Sequence, residues 1–194
     1  MATRVHEGDV GSVPIREELI HVGINSCMSI TCICADRVVG GHAVMLPGAE
    51  VDKLARILKR IKLMVGTRVI QRVFIIGSLG NWQAGMSAGD MVLPLGTNYF
   101  STLQAKDYMV DYNPAFEPVP VSRGTLRRWI CQQIGFNGGK DRVTMITTGR
   151  LLDKTVDVRF SAGRVQIVKG GAVYLNEPVD GNWQVPDNMV PNRY

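Results

Sequence analysis

A chain of 194 residues that is 45% hydrophobic has the length of one domain and enough apolar material to bury a core. Its formal charge of +5, from 22 basic and 17 acidic residues, is too small for a dedicated nucleic-acid binder, and no Gly-x-Gly-x-x-Gly or P-loop pattern supports nucleotide binding. No apolar run reaches the length of a membrane span, and the opening MATRVHEGDVGSVP lacks the hydrophobic region of a secretory signal, so the expected location is cytoplasmic, the alternative being an exported effector without a visible signal peptide.

In chain order, the first strong signal is the segment His21 to Leu46, two apolar runs around a polar break. Met28 to Ala35, rich in Ile, Thr and Cys, predicts a buried strand, and Asp36-Arg37 a turn. Val38 to Leu46 predicts a second strand, where Gly40-Gly41 suggests a bulge or the close approach of another backbone. After Pro47-Gly48, the residues Leu54, Ile57, Leu58, Ile61 and Val65 recur at helical spacing from about Val51 to Val65. Lys53, Arg56, Lys59, Arg60 and Lys62 give that helix a basic outer face, read as solvated or as a surface for an acidic partner. Val69 to Ile76 is the next strand. Gln83 to Phe116 is the least regular part, broken by prolines. Ser122 can cap a helix from Arg123 to Ile134, Val143 to Thr147 is a strand, and Val156 to Phe160 with Arg164 to Val168 form a second hairpin. The last twenty or so residues, with Pro178, Pro186 and Pro191, read as a surface tail.

Chemistry concentrates in the first hairpin. Cys27 follows the small polar turn Gly23-Ile24-Asn25-Ser26, whose backbone N–H groups offer a place for an oxyanion. His42 lies 42 − 27 = 15 positions later, so antiparallel pairing can bring a base to the thiol. Cys32, Cys34 and Cys131 read differently. The C-x4-C-x-C spacing lacks the knuckles of zinc sites, and on a regular strand Cys32 and Cys34 point away from Cys27, so these three are expected to be small buried hydrophobes.

Gly23-Ile24-Asn25-Ser26-Cys27, Gly40-Gly41 and Met45-Leu46-Pro47, together with the order of the later helices and hairpin, resemble the chemoreceptor glutamine deamidase family, CheD. The same catalytic architecture is shared by the cytotoxic necrotizing factor toxins, which act on host small GTPases. The resemblance implies a single α+β domain over 1–194, with layered mixed β-structure, β-sandwich-like, flanked by helices; 83–121 would be an enlarged irregular region and 176–194 a surface tail. It also implies a protein-glutamine deamidase with Cys27 as nucleophile, His42 as base and no cofactor or metal. Its partner would be a protein bearing a reactive glutamine, a chemoreceptor or a small GTPase by analogy.

Two departures from the family pattern sharpen these expectations. His21 stands where the family has a threonine that orients the histidine, so it becomes a candidate for that orienting role or for the base itself. His42 lies five residues before Pro47, one more than in the family, which on a regular strand turns a side chain to the other face; a bulge at Gly40-Gly41 would restore it. Asn25 and Ser26 are candidates for substrate or oxyanion contacts. The competing readings are an inactive adaptor that keeps the fold, and a thiol protease or transglutaminase using the same acyl-enzyme chemistry.

Overall fold

Runs of β-branched and apolar residues build two mixed five-stranded sheets in the computed structural model, which describes residues 1–25, 27–44, 54–77, 79, 123–148 and 155–181. One sheet contains β1 (Ala2–Val5), β3 (Glu18–Ile24), β8 (Val156–Ser161), β9 (Arg164–Lys169) and β10 (Ala172–Pro178), in the order β1-β3-β8-β9-β10. The other contains β2 (Val10–Pro14), β4 (Met28–Cys34), β5 (Arg37–Ala43), β6 (Ile70–Gly77) and β7 (Val143–Thr147), in the order β2-β5-β4-β6-β7. Each has one parallel pair, β1 with β3 and β6 with β7; the remaining pairs are antiparallel.

The layers follow from which residues each strand turns to each side. Every residue of β4 is buried, so its sequence shows no polar alternation, yet its two faces meet different partners. Met28, Ile30, Cys32 and Cys34 pack with Leu54, Ile57, Leu58 and Ile61 of α1 (Leu54–Val65) and with Leu126, Ile130 and Ile134 of α2 (Arg123–Ile134). Ile33, on the other face, joins a core between the sheets with Val5, Leu19, Phe74, Val158 and Phe160. Phe74 and Phe160 meet there edge to face at 5.3 Å, an arrangement that adds about 1 kcal/mol beyond the area it buries. The architecture is thus α+β, with helices over one face of a pair of stacked sheets.

Most expected elements are present within a residue or two, and the departures have physical causes. Residues 1–20, to which the sequence gives no element, hold β1, β2 and the start of β3, and β3 runs through Ile24 into the expected turn Gly23-Ile24-Asn25-Ser26. β1 and β2 each form one edge of a sheet, and their short apolar runs carry little periodic signal. The tail expected from residue 176 begins instead as strand: β10 runs to Pro178, which is tolerated because β10 is an edge and its last residue needs no further donor. The irregular region 83–121 and residues 182–194 lie outside the described residues. No bulge interrupts β5, whose register against both β2 and β4 is continuous. Gly40 and Gly41 are there for close approach. A Cβ at Gly40 would come within 2.6 Å of the His21 ring, and one at Gly41 within 2.6 Å of Ile57. The first glycine therefore admits a ring between the sheets and the second seats α1 on β5.

Candidate active site

Cys27 lies where the chain crosses from β3 in one sheet to β4 in the other. The crossing starts at Gly23, whose φ of +72° favours a residue without a Cβ, and the β3–β8 register slips by one residue there. The Asp157 carboxylate accepts the Gly23 N–H at 3.1 Å and fixes the slipped turn to β8. On the far side, a Cβ at Gly77 would meet the Cys27 carbonyl oxygen, so only glycine lets β6 close against this point. The nucleophile candidate is thereby gripped from both sheets.

His42 reaches the same place from β5. Ser29 pairs with His42 and Met28 with Ala43, so the odd-numbered residues of β4 and the even-numbered residues of β5 share the face between the sheets. Cys27, one residue before the strand, belongs to that face, and both Cys27 and His42 are buried. The one-residue offset from the family pattern therefore does not turn His42 away. It needs no bulge, because the register pairs even positions of β5 with odd positions of β4, the face to which Cys27 belongs.

A third group joins them that the sequence reading did not include. Glu7 sits in the turn between β1 and β2, another crossing between the sheets at this end of the molecule. Its carboxylate accepts from the Cys27 thiol at 3.6 Å, and ligand atoms of Glu7, Cys27 and His42 all lie within 4.8 Å of one another. The turn is held in place by its backbone. Gly8 N–H donates to the His42 carbonyl at 2.9 Å, His42 N–H donates to the Asp9 carbonyl at 3.0 Å, and Gly8 takes a φ of +79°. The Arg60 guanidinium of α1 donates to the Gly8 carbonyl at 3.0 Å. One member of the basic helix face thus anchors the site rather than facing solvent alone.

Burial lowers the His42 pKa below the ordinary 6.5, and the negative charge of Glu7 and the Val5 backbone oppose that shift. By distance and angle, neither ring nitrogen of His42 has a hydrogen-bond partner among the described residues. The ring is therefore held neutral, with an unengaged nitrogen beside a thiol, the state a general base requires.

The other sequence candidates fall elsewhere. His21 is also buried between the sheets, but its Nε2 pairs with Thr31 Oγ1 at 2.8 Å, and it is not in the group formed by Cys27, His42 and Glu7. Its ring packs edge-on to Phe160 and over Gly40, one strand position deeper than His42. Burial, and secondarily His42, push its pKa down to about 3, so it is a neutral core histidine at physiological pH. The carboxylate grouped with Cys27 and His42 is Glu7, which accepts from the thiol. Asn25 is exposed at the bend before Cys27, open to an incoming group; Ser26 lies outside the described residues. All four cysteines are thiols, and Cys32 and Cys34 face the helix side as expected, with burial pushing both pKa values up.

No protein-family model matches the chain, and no curated protein matches it. Among the described residues no helix is long and apolar enough to cross a membrane. The site's chemistry must therefore be read from its own residues. Glu7 was missed because a lone carboxylate twenty positions before the cysteine carries no local pattern. The one available hint was the turn-forming Glu7-Gly8-Asp9 between two short apolar runs.

Proposed function

We propose that this chain is a cysteine-dependent protein-glutamine deamidase with a CheD-like fold, hydrolysing the side-chain amide of a glutamine on a partner protein. The observation that carries this reading is the convergence of Cys27, His42 and Glu7 at one end of the paired sheets, a nucleophile, a neutral base and a carboxylate within 4.8 Å.

His42 takes the thiol proton, and the Glu7 charge favours the resulting imidazolium. Cys27 Sγ attacks the carboxamide carbon, and the backbone N–H of Cys27 with a neighbouring turn amide holds the oxyanion. As the intermediate collapses, the imidazolium gives its proton to the departing nitrogen, ammonia leaves and a thioester remains. His42 then deprotonates a water that attacks the thioester, producing glutamate and returning the proton to sulfur. Exposed Asn25, beside the nucleophile, contacts the incoming side chain.

The test is incubation with glutamine-bearing proteins, chemoreceptor and small-GTPase preparations included, with ammonia assay and mass spectrometry of the partner. Ammonia release with conversion of a glutamine to glutamate, abolished in Cys27→Ala, supports deamidation. Cleaved partner chains, or amine adducts on glutamine, replace it with the protease or transglutaminase reading. No turnover together with no labelling of Cys27 by a glutamine-derived electrophile removes the enzyme and leaves an adaptor.

A further inference from the structure

Of the features that the deamidase reading does not use, the strongest is the geometry of the three site donors toward a metal ion. The others carry less: Cys32, Cys34 and Cys131 are not drawn together into a ligand group, and the exposed Val173 and Tyr174 on β10 have no indicated partner.

We infer that Glu7, Cys27 and His42 form a binding site for a soft divalent cation of the zinc type, and that the ion holds the thiol in an inactive state. Zinc bonds to thiolate sulfur at about 2.3 Å and to carboxylate oxygen at about 2.1 Å, so two such donors on one tetrahedral ion stand about 3.6 Å apart. Cys27 Sγ and Glu7 Oε1 are at 3.6 Å. The third donor is the His42 ring, fully buried, with neither nitrogen hydrogen-bonded among the described residues, and its ligand atom lies within 4.8 Å of the other two. With Zn–N at about 2.0–2.1 Å, binding draws that ring to about 3.5 Å from the other two donors.

The electrostatics favour the ion. A thiolate and a carboxylate at this separation repel each other, and a dication neutralises both while a neutral imidazole supplies the third bond. The sulfur and the imidazole are carried on or beside strands of the central layer, and Glu7 lies over them on an exposed turn. Three protein donors leave a fourth position for water, so the ion enters and leaves without unfolding the sheets. Binding releases the thiol proton, so with the ion in place the sulfur is not available to a carboxamide.

The cation site does not depend on the deamidase reading, and the test separates them. Metal-free full-length protein is titrated with Cd2+, following the thiolate-to-cadmium charge-transfer absorption, and with Zn2+ by competition against a chromogenic chelator. One equivalent per chain is expected. Cys27→Ser should abolish the absorption, and Glu7→Gln, an exposed turn substitution that leaves the core intact, should weaken affinity by about tenfold or more. Cys32→Ala serves as control and should change neither. Absorption that survives Cys27→Ser, or affinity unchanged in Glu7→Gln, overturns the site. If the metal binds as expected while the metal-free protein neither turns over a glutamine substrate nor is labelled at Cys27, the cation site stands and the deamidase reading falls. If Cys27 turns over substrate but Zn2+ neither binds nor inhibits, the reverse holds.

Discussion

Glu7 Oε1 and Cys27 Sγ stand 3.6 Å apart although 20 positions separate them in sequence, because both lie on segments that cross from one sheet to the other at the same end of the molecule. The contact gives the carboxylate two roles, accepting from the resting thiol and favouring a proton on His42. Glu7→Gln keeps the shape and removes the charge. Turnover should fall by about an order of magnitude, less than the about 10²–10⁴-fold expected for His42→Ala, which removes the base itself. In the same variant the His42 ring titration, followed by NMR, should move further down. An unchanged or raised titration point would remove Glu7 from the site's electrostatics.

The acid limb of activity should report on His42. The ring must be neutral to act, and burial disfavours its protonated form, so the midpoint should lie below 6.5 and activity should persist into mildly acidic solution. Rates of Cys27 acylation measured against pH provide the check. A midpoint above 6.5 would show that the Glu7 charge outweighs burial.

His21 should govern acid stability rather than catalysis. Its pKa of about 3 in the folded protein lies below the ordinary 6.5, so between these values the unfolded chain binds a proton that the folded one does not. Stability is then full above about pH 6.5 and declines by about 1.4 kcal/mol per pH unit as the pH falls toward 3. His21→Asn, which can still pair with Thr31 but does not titrate, should flatten this part of the curve in urea unfolding series. An unchanged slope would place the acid sensitivity elsewhere.

Two glycines should separate stability from chemistry. Gly40→Ala drives a methyl into the His21 ring, which is boxed in by Thr31 and Phe160 and has nowhere to go; a loss of about 1–3 kcal/mol is expected. Gly77→Ala instead presses on the Cys27 carbonyl and should cost more in turnover than that loss of stability explains. Chemical denaturation and turnover measured on the same preparations distinguish the two effects.

The first hairpin, α1, α2 and the second hairpin are legible in the sequence because apolar periodicity and turn residues are local signals. So was the placement of Cys27 against Cys32 and Cys34, since alternation along a strand is a matter of parity. The orientation of His42 was not. It depends on the register of β4 against β5, and the comparison with the family pattern counted positions back from Pro47 while the actual constraint is the turn at the other end of the strand. His21 misled for a related reason: position relative to the cysteine marks it as an orienting group, but the extra depth that Gly40 opens turns it into a core histidine held by Thr31. Glu7 was invisible because its neighbours in the site are all distant in sequence.

The turn that carries Glu7 joins β1 to β2, and each of these is an edge strand of its sheet. Edge strands bonded on one side open before the layers they flank, so loss of the carboxylate from the site requires only local fraying. Function is consequently less robust than fold. Mild denaturant or moderate heat should silence the cysteine while circular dichroism still reports intact sheets, and ligands that bridge Glu7 to Cys27 would stiffen the molecule at its weakest seam.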